Sequence, residues 1–427
     1  MRIYFSGVGG VGIGPLMQIA RDAGYDVIGS DQNENMITNQ LVDSGMTVYI
    51  GQDGSQIAGA QADSPIDWFV YTAALPNDHP ELTFAQNNGI RTSKRDEFLA
   101  DLLRAKSQKL IAISGTHGKT TTTGMLVWAM KQLGIPVSYS VGTTLSFGPS
   151  GHYDQASEYF VYECDEFDRN FLHFEPFLSI ITSIDHDHFD TYPTPQEYHD
   201  AFVQFIEQSS YSLLWEKDLR ALGKPDISAN YEAYDELMDL SNIKLAGDHN
   251  RQNAFLVKMA LERLFEGNGD SEMGNRVLNA INSFPGTGRR FEKLAENLYS
   301  DYGHHPAEIV ATLEMAREVS EYVVLVYQPH QNIRQHEMRD QYRDQFELAD
   351  KIYWLPTYLS REDPSLEILT PEQLYENTTN HDAFETAEMN DALWQAIQEY
   401  REEGCLVLCM GAGSIDGWVR KKLDDRF

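Results

Sequence analysis

The chain of 427 residues contains only three cysteines, Cys164, Cys405 and Cys409. Three cannot form a disulfide framework, and none is spaced as a zinc-type pair. Cys405 and Cys409 fall in the apolar run Cys405-Leu406-Val407-Leu408-Cys409, where strand alternation puts both on one face as small buried hydrophobes. No apolar run approaches the about 20 residues needed to cross a bilayer, so no membrane insertion is expected. The first residues turn into a glycine-rich loop at Gly7, too early for a secretory leader. These absences predict a soluble, cytoplasmic protein. Basic residues are also scarce: 33 Lys and Arg stand against 65 Asp and Glu, a formal charge of −32. Non-specific nucleic-acid binding draws its affinity from cations that neutralise phosphates, so no nucleic acid is expected as a partner. The acid is spread along the chain, which points to solubility or an unusual ionic habitat.

What is present is core material: 42% of residues are hydrophobic, with 22 Tyr and 20 Phe. That length and composition predict about three domains. Strand Ile3-Tyr4-Phe5 leads into Gly7-Val8-Gly9-Gly10-Val11-Gly12. Pro15 suits the first turn of the following helix and Gly24 its end. Further strands are expected at Asp26-Val27-Ile28-Gly29, from Thr47 to Ile50 and from Trp68 to Thr72. This alternation predicts a parallel α/β domain over 1–103. A second α/β unit, 104–283, takes strands at 110–113, 159–162 and 178–182 and a helix from about Asn250 to Phe265. Phe284-Pro285-Gly286-Thr287-Gly288 breaks all periodicity and reads as a linker. A third unit, 284–427, takes strands near 298–300, 322–327, 352–355 and 405–410.

The chemistry is concentrated in Ser114-Gly115-Thr116-His117-Gly118-Lys119-Thr120-Thr121, between an apolar strand and a helix faced by Met125, Trp128, Ala129 and Leu133. A helix N-terminus aims backbone N–H groups at an anion, and its dipole adds to the attraction. Lys119 would reach the terminal phosphates of ATP, and the Thr120 hydroxyl would bind Mg²⁺. The first glycine of the common GxxxxGK[ST] motif would fall at Ile113, so the match is partial. The bland alternative is a strand–helix turn with a solvated lysine. A Mg²⁺ site needs further ligands, and two follow apolar strands: Glu163 and His188. By itself Gly7-x-Gly9-x-x-Gly12, with Asp31 nineteen residues on, reads as a dinucleotide fold.

Taken in order, these motifs resemble those of the Mur ligases, the ATP-dependent amino-acid ligases of peptidoglycan precursor synthesis. The likeness runs through residues 7–12, Gly29-Ser30-Asp31, residues 115–121, Asp165-Glu166-Phe167-Asp168 and residues 185–192. It continues through Gly247-Asp248-His249-Asn250, Gly288-Arg289-Arg290-Phe291, Asp301-Tyr302-Gly303-His304-His305-Pro306, Gln328-Pro329-His330 and Gly411-Ala412-Gly413-Ser414. The resemblance implies three Rossmann-like or P-loop domains with mainly parallel sheets. They bind the UDP-sugar, bind ATP, and close over ATP and the amino acid. It moves the first loop, Gly7, Gly9, Gly10 and Gly12, to the UDP diphosphate, with Ser30, Asp31 and Thr72 alongside. It places Gly115, Thr116, His117, Gly118, Lys119, Thr120, Thr121, Asn250, Asn253, Arg290 and Asp301 around ATP. Lys119, Glu163, His188, His305 and Arg334 would be catalytic, with His304, His305 and Arg334 on the side facing the muramate carboxylate and the incoming amine.

Within the family the chain is most similar to the alanine-adding branch, whose substrates are UDP-N-acetylmuramate, ATP and an amino acid, L-alanine favoured. The absence of Lys between Thr191 and Ser210, where later ligases carry a carbamylated lysine, fits that branch. Gln331 stands where some members carry Arg, and the stretch from Glu197 to Gly247 is shorter than expected. The alternatives are a ligase that attaches a whole tripeptide to UDP-N-acetylmuramate, a nicotinamide-dependent dehydrogenase, and a non-catalytic nucleotide-binding protein. The His304-His305 pair carries its own alternative, a helix cap ahead of Pro306.

Overall fold

The computed structural model describes residues 1–72, 75–188, 191–223, 227–265, 272–360 and 362–425. Of the 185–192 motif, Phe189 and Asp190 lie outside the described residues. Three helix-flanked sheets order the chain, and the chain divides into two compact units, 1–243 with 252–285, and 244–251 with 286–427.

The first sheet holds β1 (Arg2–Ser6), β2 (Asp26–Asp31), β3 (Thr47–Ile50), β4 (Trp68–Tyr71) and β5 (Arg91–Lys94). It is wholly parallel in the order β3-β2-β1-β4-β5. The winding reverses between β1 and β4, and such a switch point opens a crevice at the carboxyl ends of the strands. The glycine-rich loop leaves β1 there. The second sheet holds β6 (Lys109–Ser114), β7 (Ser138–Ser140), β8 (Gly151–His152), β9 (Tyr159–Glu163), β10 (Leu178–Ile181), β11 (Ser212–Trp215) and β12 (Tyr231–Tyr234). Its order is β12-β11-β10-β6-β9-β7-β8, antiparallel only between β7 and β8. The Lys119 loop therefore leaves the central strand, flanked by the exits of β9 and β10.

The third sheet holds β13 (Glu292–Ala295), β14 (Leu298–Asp301), β15 (Val323–Tyr327), β16 (Lys351–Trp354), β17 (Phe384–Thr386) and β18 (Leu406–Met410), in the order β13-β14-β18-β15-β16-β17. One hairpin, β13–β14, is antiparallel. Cys405 and Cys409 pack into one apolar cluster on this sheet, as alternation required.

Every expected strand is present, and several others were not expected. β5 reads Arg-Thr-Ser-Lys, with no apolar residue to signal it. β13 and β17 are short strands at the two edges of their sheet. The stretch expected to be reduced still supplies β11 and β12. The helix after the Lys119 loop, Lys119–Gln132, is buried on more than one face, because the helix Met273–Asn282 also packs on it. Its Trp128 is half-buried and donates from the ring N–H to the Ala280 carbonyl at 3.0 Å.

One hydrophobic core joins the first two sheets, running from Ile3, Phe5 and Phe98 through Leu110, Ala112 and Phe160 to Phe202 and Leu214. A polar knot sits within the first sheet. Glu81, fully buried, accepts from Tyr4 OH at 2.7 Å, Ser6 Oγ at 2.6 Å and Ser30 Oγ at 2.8 Å. Removing the carboxyl leaves three buried hydroxyls without an acceptor. Glu81→Ala is expected to lower stability by about 3 kcal/mol, and Glu81→Gln by less, in urea unfolding followed by tyrosine fluorescence. An unchanged midpoint for Glu81→Ala would contradict this.

Candidate active site

The Lys119 loop is shaped by two glycines in the left-handed region. Gly115 has φ +128°, and a Cβ there would lie 2.8 Å from the backbone N and O of Ser183. Gly118 has φ +83°, and a Cβ there would meet the Asn253 amide at 2.8 Å. Asn253 is thus packed against the loop. The loop is tied down by Thr116 N–H to Ser183 O (3.0 Å) and His117 N–H to Ser183 Oγ (3.0 Å). Thr116 Oγ1 also donates to Asp185 O at 2.7 Å.

Helix-type bonding begins only at Thr122, whose N–H reaches Gly118 O at 3.0 Å. Among the described residues, the N–H groups of Gly118, Lys119, Thr120 and Thr121 donate to no acceptor. Four open donors at a helix N-terminus form an anion-binding site.

Two acidic contacts flank that site. Thr120 Oγ1 donates to Glu163 Oε1 at 2.8 Å, and Gly142 N–H reaches the other oxygen of Glu163 at 3.2 Å. Lys119 Nζ lies 2.9 Å from Glu166 Oε2 and donates to Gly115 O at 2.6 Å. Glu166 is 0% exposed, and His188 Nε2 stands 3.5 Å from its Oε1. Burial by itself would raise the Glu166 pKa, but Lys119 and His188 outweigh it and hold the carboxyl well below the usual carboxylate range. Burial likewise opposes the charge on His188, yet the bond to Glu166 raises its pKa. The ligand atoms of Asp165, Glu166 and His188 lie within 4.8 Å of one another.

The sequence picked out Thr120, Glu163 and His188. The structure pairs Thr120 with Glu163, and His188 with Glu166. Glu166 was passed over as one acid in an acidic loop; its only signal was its place in the Asp165-Glu166-Phe167-Asp168 motif.

In the first loop, three of the four glycine amides are used inside the protein. Gly7 N–H reaches Ser30 O (2.8 Å), Gly9 N–H reaches Asp31 Oδ2 (2.7 Å) and Gly10 N–H reaches Gly7 O (3.1 Å). Asp31 therefore acts on the loop itself, and Asn35 holds Gly9 O from the other side at 3.1 Å. Thr72, at the exit of β4, lies against Gly7.

In the second unit, Asp301 is buried and accepts from Phe291 N–H and Gly303 N–H, both at 2.7 Å. Burial raises its pKa against the pull of Arg290. Arg289 and Arg290 lie over the Tyr302 ring, 4.5 and 4.9 Å from its centroid. Arg334 Nη1 donates to His304 Nε2 at 2.8 Å, while His304 Nδ1 faces Tyr302 O at 3.2 Å. Burial and Arg334 lower the His304 pKa, although Glu308 opposes them. The residue behind Arg334 is thus His304. His305 caps the helix Pro306–Val319, accepting from Ala307 N–H and forming a capping box with Glu308. Asn250 donates to Ala246 O at 3.0 Å.

Gly115→Ala puts a side chain into a strained backbone against the Ser183 peptide, a cost of about 1–3 kcal/mol. MgATP affinity is expected to fall about tenfold or more by calorimetry; unchanged affinity would show that the loop geometry is not needed.

Three family models cover the chain: "Mur ligase family, catalytic domain" at residues 2–107, "Mur ligase middle domain" at 113–226 and "Mur ligase, glutamate ligase domain" at 289–413. The UDP-N-acetylmuramate–L-alanine ligase of Fusobacterium nucleatum is 32% identical, over 97% of this chain and 94% of that one. The enzyme of that name from Novosphingobium aromaticivorans is 31% identical, over 98% and 95%. Among solved structures, UDP-N-acetylmuramate–alanine ligase of Thermotoga maritima superposes with a TM-score of 0.76 at 23% identity, covering 100% of this chain and 99% of that one. A murein peptide ligase of Psychrobacter arcticus gives 0.67 at 21%, over 99% and 98%. With both loops, the three mainly parallel sheets and this end-to-end similarity in place, the chain belongs to the Mur ligase family.

Proposed function

We propose that the protein is an ADP-forming ligase that joins L-alanine to the lactyl carboxylate of UDP-N-acetylmuramate, in the cytoplasmic stage of peptidoglycan precursor synthesis. The observation that carries this reading is the set of open amides at 118–121 with Lys119 beside them, in a chain alike from end to end to ligases of that name. The tripeptide-attaching reading is not favoured, since the curated relatives compared above carry the alanine-ligase name. Residues 1–103 bind the UDP-sugar through Gly7, Gly9, Gly10, Gly12, Ser30, Asp31 and Thr72. Residues 104–283 bind ATP, and 284–427 serve the amino acid.

The reaction runs in two steps. A lactyl carboxylate oxygen attacks the γ-phosphorus, ADP leaves, and an acyl phosphate results. The alanine amine then attacks the acyl carbon, phosphate leaves, and the amine proton passes to solvent or a base. Phosphoryl transfer asks mainly for positioning and charge neutralisation. The N–H groups of Gly118, Lys119, Thr120 and Thr121 hold the phosphates, with Gly115, Thr116 and His117 shaping the loop. Lys119 neutralises the charge that builds on the transferring group, exchanging Glu166 for phosphate oxygen. The Thr120 hydroxyl and the Glu163 carboxylate, 2.8 Å apart, are hard oxygen donors that suit Mg²⁺, which would neutralise the phosphate charge when bound, with His188 as a further, nitrogen ligand. Asn250, Asn253, Arg290 and Asp301 serve ATP. Arg334, oriented by His304, serves the carboxylate and the incoming amine, and His305 adds its cap to whatever contact it makes.

The direct test incubates the protein with MgATP, UDP-N-acetylmuramate and, in turn, L-alanine, serine, glycine and the tripeptide, and measures phosphate release. Release is expected with L-alanine; release with the tripeptide alone would point to the tripeptide-attaching ligase. Lys119→Ala should lower turnover by about 10²–10³ or more, and near wild-type ADP formation would refute its role. His304→Ala should raise the KM for the amino acid with little change in that for ATP. His305→Ala should cost about 1 kcal/mol of stability through the lost cap, read by thermal unfolding. The reverse assignment of these two effects would overturn the division of labour between the histidines.

A further inference from the structure

We propose that the guanidinium of Arg95 is an anion-binding group of the sugar-nucleotide site, taking the diphosphate of a nucleoside diphosphate together with the amides of Val11 and Gly12. This rests on the assignment of the 7–12 loop to the UDP-sugar.

The loop's own hydrogen bonds lead to it. Gly7, Val8, Gly9 and Gly10 spend their N–H groups on Ser30 O, Asp31 Oδ2 and Gly7 O, and Ile13 and Gly14 both reach Gly10 O. Among the described residues, only the N–H groups of Val11 and Gly12 within this loop donate to nothing. Two amides are a thin cradle for a group with up to three negative charges, and a cation is wanted beside them.

Arg95 stands there. It is the first residue of the helix Arg95–Lys106, directly after β5. Its guanidinium crosses Gly12: a Cβ on Gly12 would lie 3.2 Å from Arg95 Cδ and 3.4 Å from Cζ, and would collide with Nη1. In a dinucleotide fold the third glycine of this motif lets helix and strand pack closely. Here its missing side chain makes room for an arginine.

The arginine is fixed at one edge and open at the other. Nε donates to Asp96 Oδ2 at 3.2 Å. The other oxygen of Asp96, itself buried, accepts from Tyr162 OH at 2.6 Å. Nη1 and Nη2 have no acceptor among the described residues, and the side chain is 28% exposed. The neighbouring cation, Lys94, is taken up by Asp168 at 3.1 Å. A guanidinium held at Nε presents its remaining N–H groups as a fork that matches phosphate oxygens, and it stays charged at any working pH.

The experiment is calorimetric titration of the full-length protein with UDP, with UDP-N-acetylmuramate, with uridine followed by displacement of UDP, and with MgATP. Arg95→Ala is expected to weaken UDP by about 10- to 100-fold, while uridine changes less than about threefold and MgATP is unaffected. Arg95→Lys should recover part of the loss, because it restores the charge without the fork. Unchanged UDP affinity in Arg95→Ala overturns the proposal, and so does an equal loss for UDP and uridine. A loss confined to UDP-N-acetylmuramate also overturns it, since the arginine would then serve the lactyl carboxylate. If wild type itself fails to bind UDP, the assignment of the loop falls first and the proposal with it. Should Arg95→Ala fail to fold, Arg95→Gln carries the same comparison.

Discussion

A carboxylate with no exposure to water, that of Glu166, lies between Lys119 and His188, and the second sheet is organised around it. Burying a charge is costly unless partners surround it. Here the ammonium at 2.9 Å, the imidazole at 3.5 Å and the Tyr198 hydroxyl at 3.4 Å do so. Each partner comes from a different part of the sheet: the helix after β6, the exit of β10, and the helix Pro195–Gln208. One ion pair therefore holds Lys119 close to the open amides at 118–121. A bound nucleotide would trade one anion for another at Lys119 and would not need to create a charge site from nothing.

The same economy appears in the first loop. Asp31 already holds Gly9 N–H, as Glu166 holds Lys119. Both loops are shaped by an internal carboxylate and leave a smaller set of donors open to ligand. A shared hydrophobic core and the chain Gly12, Arg95, Asp96, Tyr162 link them, and Tyr162 precedes Glu163 on β9. The two loops are thereby placed on one continuous support.

Much of this was legible in the sequence because local chemistry sufficed. An apolar strand, Gly-Lys-Thr and an apolar-faced helix announce a phosphate loop wherever they occur, and central strands such as β6, β15 and β18 carry their own apolar runs. What was not legible depends on distant partners. β5, written in Arg, Thr, Ser and Lys, is a strand only because β4 pairs with it. Glu166 looks like any loop acid until the fold buries it. Adjacent His304 and His305 differ only in direction: one turns in to hold Arg334, the other caps a helix. Gly12 reads as a glycine of the diphosphate loop, and nothing in the sequence shows that Arg95 lies against it.

The central claim is that the carboxylate of the sugar nucleotide, not water, receives the γ-phosphoryl group. UDP-N-acetylmuramate labelled with ¹⁸O in its lactyl carboxylate, turned over with MgATP and L-alanine, tests this by mass spectrometry of the released phosphate. An acyl phosphate hands one carboxylate oxygen to the phosphate, so one ¹⁸O should appear in phosphate for each amide formed. Unlabelled phosphate from a working enzyme would contradict the account.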